Sequence, residues 1–471
     1  MLAAAAALTT LAIVAQDRVA LRNAPRDSAP QQAVLWQGDA LEVRGERLGY
    51  LQVWDHRRER AGWVQASLVR STSLKPEEAP DLLAVMRFLR DPPGAEALGI
   101  AYVAAYLRAA PSQAIGAEPF DALGTMAERL ARRASTRQGS EAVSAHLEVA
   151  TQYGVSFKSY DHDGTLQLCY DGEAFRRVLA RAPDAHQRAR AALALTRADC
   201  IDPAMAPLAR QQLDARRAEV LDRIDGPALA TLSEPEKNRL HMRRAGVWSA
   251  IAFQRARKGE ATQEAAQRAI DALAAVNKVE LSDSDALDYN DAAMRVGASR
   301  WAVEAATMPS ANKLRIATEA GEPGQTCVLL LDTTRDNATP LARRCTWGVV
   351  WAASTSVSPG GKAVSVAVQP LESWRELWLF RLGTNGWSID VLPPTSSNPE
   401  LGYVEFAGWV PGANKLLVAR EAREDARPRR SFEVMSLDTL SVEKQASSPS
   451  LLVLFGKWQD LAWKKKTVSL R

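Results

Sequence analysis

The sequence predicts a multidomain chain of α and β structure: a small β-barrel, a mostly α-helical middle domain, and a C-terminal all-β domain that is propeller-like or a sandwich. Three observations carry this. From Val19 to Arg70, apolar and polar residues alternate in short runs broken by Gly and Pro, the period-two pattern of half-buried strands. From Leu82 to about residue 305, apolar residues recur at helical spacing among Ala and Arg, both strong helix formers. Beyond that point, Pro309–Ala320 is nearly duplicated at Pro411–Ala422.

The chain opens on an uncharged run, LAAAAALTTLAIVA over residues 2–15. A membrane-spanning helix needs about twenty apolar residues, so this run is too short to cross. Its length suits the apolar core of a secretory signal, with Ala15 at a cleavage position before Gln16, although the positive segment expected ahead of it is missing. Residues 1–15 are expected to be a signal peptide, the alternative being an Ala-rich first helix. No cysteine follows the run, which argues against a lipid anchor.

Strands are expected at Val19–Arg22, Val34–Trp36, Leu41–Val43, Tyr50–Trp54 and Gly62–Val64, with turn-forming Asn23–Ser28 and Gly38-Asp39 between them. So many short strands in about fifty residues close only as a very small barrel. The order Leu21-Arg22, Pro25, Gly38, Leu41/Val43, Tyr50/Val53, Gly62-Trp63-Val64 and Leu68 resembles the bacterial SH3-like (SH3b) domain over residues 17–71, about a ninth of the chain. The resemblance implies a five-stranded barrel, often a binding module that targets cell-wall peptides, and does not imply catalysis.

Pro76–Pro80 reads as a linker into a helical domain over residues 77–305. Leu82, Leu83, Val85, Met86 and Leu89 lie on one helical face, and Asp91-Pro92-Pro93-Gly94 ends that helix. Further amphipathic stretches follow. Within them, residues 155–170 break the pattern: Val155–Lys158 and Thr165–Leu168 flank Asp161-His162-Asp163-Gly164, which predicts a hairpin on an Asp-Gly turn.

Residues 306–471 form the β-repeat region. Between the duplicated segments, Pro359-Gly360-Gly361-Lys362 and the strand after it keep the turn-then-strand pattern, and Trp463–Leu470 reads as a decayed fourth copy. The starts fall about fifty residues apart, a propeller-blade spacing. The region resembles the WD-like β-propeller repeats of periplasmic bacterial proteins, with Gly-Gly or Ala-Asn where the usual Asp-Gly turn stands. Leu314 and Leu416 are expected at matching places in successive blades, as are Ile316 and Val418, with Lys313 and Lys415 exposed at the turn exits. The last residues, Thr467–Leu470, are expected to complete the first blade unless its edge stays open.

Composition narrows function. A net charge of +4 and a pI near 8.8 are too mild for a nucleic-acid protein, and the basic residues spread along the helices rather than cluster near the aromatics. Cys169, Cys200, Cys327 and Cys345 form no CxxC pair, which leaves little support for zinc or thioredoxin-type chemistry. An even count in an exported chain suggests disulfides. Of the three pairings, Cys169–Cys200 and Cys327–Cys345 keep each bridge within one domain. Buried free thiols are the alternative.

No catalytic motif stands out. The histidines His56, His146, His162, His186 and His241 make no HExxH pair, and there is neither a Gly-x-Ser-x-Gly elbow nor a phosphate-binding Gly-x-x-x-x-Gly-Lys. Asp161-His162-Asp163-Gly164 offers carboxylates and an imidazole, but the turn alone accounts for them. Cys169 with His186 or His241 is the cysteine-peptidase reading, against which Cys169 sits at a strand end rather than a helix N-terminus. No metal or other cofactor is expected. Among thirteen tryptophans, those near the N-terminus matter most. A fifty-residue barrel has too little interior for Trp36, Tyr50, Trp54 and Trp63 together, so Trp36, Tyr50 and Trp54 are the candidate ligand-binding residues and Trp63 is expected to be buried. The function these features predict is a non-enzymatic periplasmic or secreted bacterial envelope protein. It binds or scaffolds at the cell wall, with peptidoglycan peptides or another envelope protein as partner and no transmembrane span. The alternative is a peptidoglycan hydrolase with an unrecognised site.

Overall fold

The computed structural model describes residues 10–162, 164–304, 313–395, 401–424 and 427–466. The chain is mixed α and β: an N-terminal antiparallel sheet, a helical middle and C-terminal sheets. It divides into two compact units, Met1–Ala206 with Ile224–Thr231, and Pro207–Arg223 with Leu232–Arg471. The helices expected as one domain are therefore shared between two cores.

In the first unit, β1 (Leu11–Val14), β2 (Val19–Arg22), β3 (Gln31–Leu35), β4 (Ala40–Arg47), β5 (Tyr50–Asp55), β6 (Arg60–Gln65) and β7 (Val69–Thr72) form one seven-stranded sheet in the order β3-β2-β6-β5-β4-β1-β7. Alternation places Leu21, Leu35, Leu41, Leu51, Val53, Val64 and Val69 in one apolar core. The first strand corrects the expected leader boundary. Leu11–Val14 were expected to leave by cleavage after Ala15, yet they pair with both β4 and β7. Ala12 and Val14 lie in the sheet's core while Ile13 enters the helical core beside Leu82 and Tyr102. Cutting after Ala15 would remove a strand paired on both sides. Residues 1–9 of the leader expectation lie outside the described residues.

The helices α1 (Ala79–Arg90), α2 (Glu96–Ala109), α3 (Glu118–Thr136) and α4 (Glu141–Gln152) follow. Met86, Ile100, Val103, Met126 and Leu130 form their common core, as the helical spacing of α1 predicts. The hairpin comes where expected, as β8 (Phe157–His162) and β9 (Thr165–Tyr170), with the Asp161 carboxylate accepting from the Gly164 amide at 2.7 Å. Next are α5 (Glu173–Leu179) and α6 (Ala185–Leu195), the latter opened by an Asp184/Gln187 capping box. A disulfide joins Cys169 at the end of β9 to Cys200 beyond α6, with Cα atoms 5.7 Å apart. Of the next two helices, α7 (Pro207–Asp222) belongs to the second unit and α8 (Gly226–Ala230) to the first.

One buried carboxylate in this unit yields a pH prediction. Asp121 on α3 is almost fully buried; Oδ2 accepts from Arg190 at 2.9 Å and faces Arg90 at 3.3 Å, while Oδ1 has no partner. Burial raises its pKa from 3.8 to about 6, against the pull of Arg90. Between the unfolded value and about 6 the folded state binds the extra proton. Stability from this group therefore increases as pH falls from about 6 to about 4, by up to about 3 kcal/mol. Urea melts across that window should show the wild type gaining on Asp121→Asn as the pH drops; parallel curves would refute the assignment.

The second unit packs α9 (Glu234–Arg257) against α7, α10 (Gln263–Ala274) and α11 (Asp283–Ser299). A Ser233/Glu236 capping box starts α9. Two sheets follow. The first is three-stranded: β10 (Arg315–Ala320), β11 (Thr326–Leu331) and β12 (Ala342–Thr346). Cys327 and Cys345 stand directly opposite in its β11–β12 register and form the second disulfide. Next come two four-stranded antiparallel meanders: β13 (Val349–Val357), β14 (Ala363–Leu371), β15 (Trp374–Gly383) and β16 (Gly386–Leu392), then β17 (Gly402–Val410), β18 (Lys415–Glu424), β19 (Arg427–Ser436) and β20 (Val442–Ala446). A short parallel contact between β15 and β17 joins them into one eight-stranded sheet. The helices α12 (Val453–Trp458) and α13 (Leu461–Lys466) close the chain.

The three-stranded sheet and the two meanders bury their faces against one another. Leu314, Ile316 and Leu330 meet Val364, Val366 and Trp378. On the other face of the first meander, Leu377 and Leu379 meet Leu416 and Val418. The last face, with Tyr403, Leu417 and Phe432, is covered by Met294 and Ala298 of α11 and by Phe455 and Trp463 of the terminal helices. β14 and β18 are both second strands of their meanders, but the repeat is one residue out of phase between them: Val364 and Val366, two and four residues after Lys362, turn to the three-stranded sheet, whereas Leu416 and Val418, one and three residues after Lys415, turn to the first meander. The expected equivalence of Leu314 with Leu416 and of Ile316 with Val418 is corrected. Both segments are strands, but β10 is the edge of a three-stranded sheet and turns these side chains to the sheet that follows. Lys313 is exposed as expected, whereas Lys415 is half-buried and paired with Glu443. Trp463, expected in a decayed strand, lies instead in α13, where its indole fits beside Phe455. Thr467–Leu470 and their expected strand role lie outside the described residues.

Candidate functional site

The N-terminal sheet presents aromatic residues on β5 and β6. Along β5, Leu51, Val53 and Asp55 point one way and Tyr50, Gln52 and Trp54 the other. On β6, Gly62 and Val64 point inward. A Cβ at Gly62 would lie 2.6 Å from the Leu21 side chain, so only glycine lets β2 pack across there. Trp63 therefore faces outward and is half-buried, which corrects the expectation that it fills the core. The register sets Gln52 opposite Trp63, and Trp54 between Ala61 on β6 and Glu42 on β4, so the two half-buried indoles are diagonal neighbours.

Charge surrounds Trp54. The Arg44 guanidinium lies over its ring at 4.7 Å, and the His56 imidazole meets it edge-on at 6.5 Å. His56 Nε2 is 2.7 Å from Glu42 Oε2, and Arg44 Nε donates to Glu42 Oε1 at 3.2 Å. Hydrogen bonding to His56 and then to Arg44 outweighs desolvation and holds the Glu42 carboxyl below its usual range. The hairpin end is pinned by Asp55, which accepts from the Arg57 and Arg58 amides and from Arg58 Nη1 at 2.7 Å. Such a face can stack a flat or apolar group on indole while arginine and carboxylate select its polar ends.

The other candidates divide differently. Trp36 is 7% exposed and packs with Ala97 of α2 and with Ala145 and Val149 of α4, its ring edge-on to His146. The turn after it is docked as tightly: Tyr153 Oη donates to the Gly38 carbonyl at 2.6 Å. Trp36 holds sheet to helices and offers no platform to a ligand. Tyr50 is equally buried, and its hydroxyl donates to Asp27. Of the three expected ligand residues, Trp54 alone is half-exposed, and the structure pairs it with Trp63.

In the second unit, a groove of about 660 Å³ runs between α7 and α9 over Ala215, Ala218, Trp248 and Ile251. Arg268 lies 3.7 Å above the Trp248 ring. Sequence reasoning missed this groove and two buried ion clusters. In one, Asp214 accepts from Arg210, Arg217 and Gln254, and Arg210 also reaches Glu372 at 2.9 Å. In the other, Glu405 accepts from Arg300 and Arg375, all three nearly inaccessible. Burial pushes the Glu405 pKa up, but Arg300 and Arg375 more than offset it and hold the carboxyl below its usual range. The signal was present as a lone acid between Val404 and Phe406 in an apolar strand. Among the described residues, no three His, Cys, Asp or Glu side chains converge to hold a metal ion.

No protein-family model, curated protein or solved structure matches this chain.

Proposed function

We propose that this chain is a non-enzymatic exported envelope protein of bacteria that binds or scaffolds at the cell wall. In this reading the N-terminal sheet is an SH3-like binding module and the stacked meanders are a propeller-like platform. The observation that carries it is the diagonal pair of half-buried indoles, Trp54 and Trp63, on the face of the sheet opposite its apolar core. Core packing alone gives no reason for two tryptophans there, whereas a ligand platform does. Both disulfides fit an oxidising compartment outside the cytoplasm. No helix of the described residues is long and apolar enough to cross a membrane. Peptidoglycan peptides are the partner this reading favours, with another envelope protein second.

The test is to incubate the full chain with insoluble peptidoglycan, then measure sedimentation and release of soluble fragments separately. Co-sedimentation without release is expected. Trp54→Ala should weaken it by about tenfold or more, while lowering the melting temperature by only a few degrees because the ring is half-buried. Release of fragments would establish the hydrolase alternative, and failure to sediment would remove the cell-wall reading.

A further inference from the structure

The C-terminal helices carry an uncovered surface that neither the sheets nor the proposed cell-wall role uses. Their inward side is spent on the fold: Leu452, Phe455 and Trp463 close the core over Phe432, with ring centroids 5.7 Å apart for Phe432–Phe455 and 6.0 Å for Phe455–Trp463. Outward, Val453 and Leu461 on the helices and Leu451 in the turn just ahead of α12 are 84, 73 and 69% exposed. Large apolar residues exposed elsewhere are more thinly spread along the chain, so three between 451 and 461 is a concentration that asks for a partner. The same segment, residues 453–466, contains four lysines (Lys457, Lys464, Lys465 and Lys466) against the single acid Asp460. Asp460 is engaged as the cap of α13, accepting from the Trp463 amide at 3.0 Å. Exposed Lys457 and Lys464 lie on the two helices that carry Val453 and Leu461.

We propose that this outward face docks on an anionic lipid bilayer. Aliphatic side chains flanked by lysines match the two layers of such a surface: Leu and Val enter the acyl boundary while ammonium groups meet lipid phosphates. A protein partner would need to match the lysines with its own acids, whereas an anionic bilayer supplies negative charge at any orientation. The fold already holds both helices in place, so docking costs little ordering entropy. Neither helix is long enough to cross, so attachment is peripheral.

Flotation of the full chain with vesicles of phosphatidylcholine containing phosphatidylglycerol tests this, with pure phosphatidylcholine vesicles alongside. Binding is expected to the anionic vesicles and to fall with added salt. Val453→Asp with Leu461→Asp should abolish it, and Lys457→Glu should weaken it on the order of tenfold. The sites are exposed, so melting temperatures should be unchanged. No flotation with anionic vesicles overturns the proposal, as does equal binding by the Asp variants. So does self-association of the wild type that the Asp variants abolish, which would assign the face to a second copy. The peptidoglycan assay reads the other unit, so either result stands without the other.

Discussion

Replacing Glu405 with glutamine is expected to destabilise the second unit by about 3–5 kcal/mol, the cost of leaving a buried ion pair uncompensated. Arg375 is fully buried and Arg300 nearly so, and both donate to this one carboxylate. Two nitrogens of Arg375, Nε and Nη1, have no hydrogen-bond partner, so loss of Glu405 strands a guanidinium with little else to satisfy it. The position magnifies the effect. Arg375 and Tyr403 are register partners in the parallel contact that joins the two meanders, and Glu405 lies two residues further along β17. Glu405→Gln should therefore lower the urea midpoint of this unit and leave the first unit's transition in place. Replacing all three, Glu405→Leu with Arg300→Leu and Arg375→Met, should recover much of the loss, since no charge is then left buried. Acid offers a second check. The folded pKa of Glu405 is depressed, so its contribution is present above the ordinary value of 4.5 and is lost as pH falls through the lower folded value. Below that value the gap between wild type and Glu405→Gln should close. A variant as stable as wild type at neutral pH would show that the cluster does not hold the meanders together.

What the sequence made legible follows from how local each signal is. The Asp161–Gly164 turn specifies its hairpin within a few residues, and the disulfides were readable because local pairing leaves short loops. The second strands of the two meanders were found because equal turns begin equal strands. Signals that depend on distant partners were not readable. Leu11–Val14 have the apolarity of a leader, and only their pairing with β4 and β7 makes them a strand. Alternation told that β10 is a strand but not which sheet its Ile316 would meet. Helical periodicity gave amphipathic faces without saying which core each would cover, so a single helical domain was expected where α7 and α9–α11 join the sheets of the second unit. The candidate site was half legible for the same reason. Counting aromatics correctly required some to lie outside the core, but the choice among Trp36, Trp54 and Trp63 depends on where helices arrive from later in the chain.

That choice makes Trp36→Ala the second large effect expected, at about 3–5 kcal/mol lost from the first unit. The ring is nearly buried and fills the space bounded by Ala97, Ala145 and Val149, three small or branched side chains on two helices. Alanines cannot extend to fill a void, and the backbone beside it cannot settle inward. Gly38 already approaches α2 so closely that a Cβ there would lie 2.6 Å from the Ala97 carbonyl oxygen. The cavity left by the indole should persist, which places the cost at the upper part of the range for large-to-small changes. Trp36→Phe keeps an aromatic ring in the same space and should lose less than half as much. The comparison that decides the reading is with Trp54→Ala and Trp63→Ala, whose rings are half-exposed and whose loss should cost about 1 kcal/mol each. Urea unfolding of the three alanine variants should thus set Trp36 well apart. Equal losses at all three positions would mean that Trp54 and Trp63 are core residues. The outward aromatic face would then lose its claim to a ligand, because their burial alone would explain why tryptophan stands there.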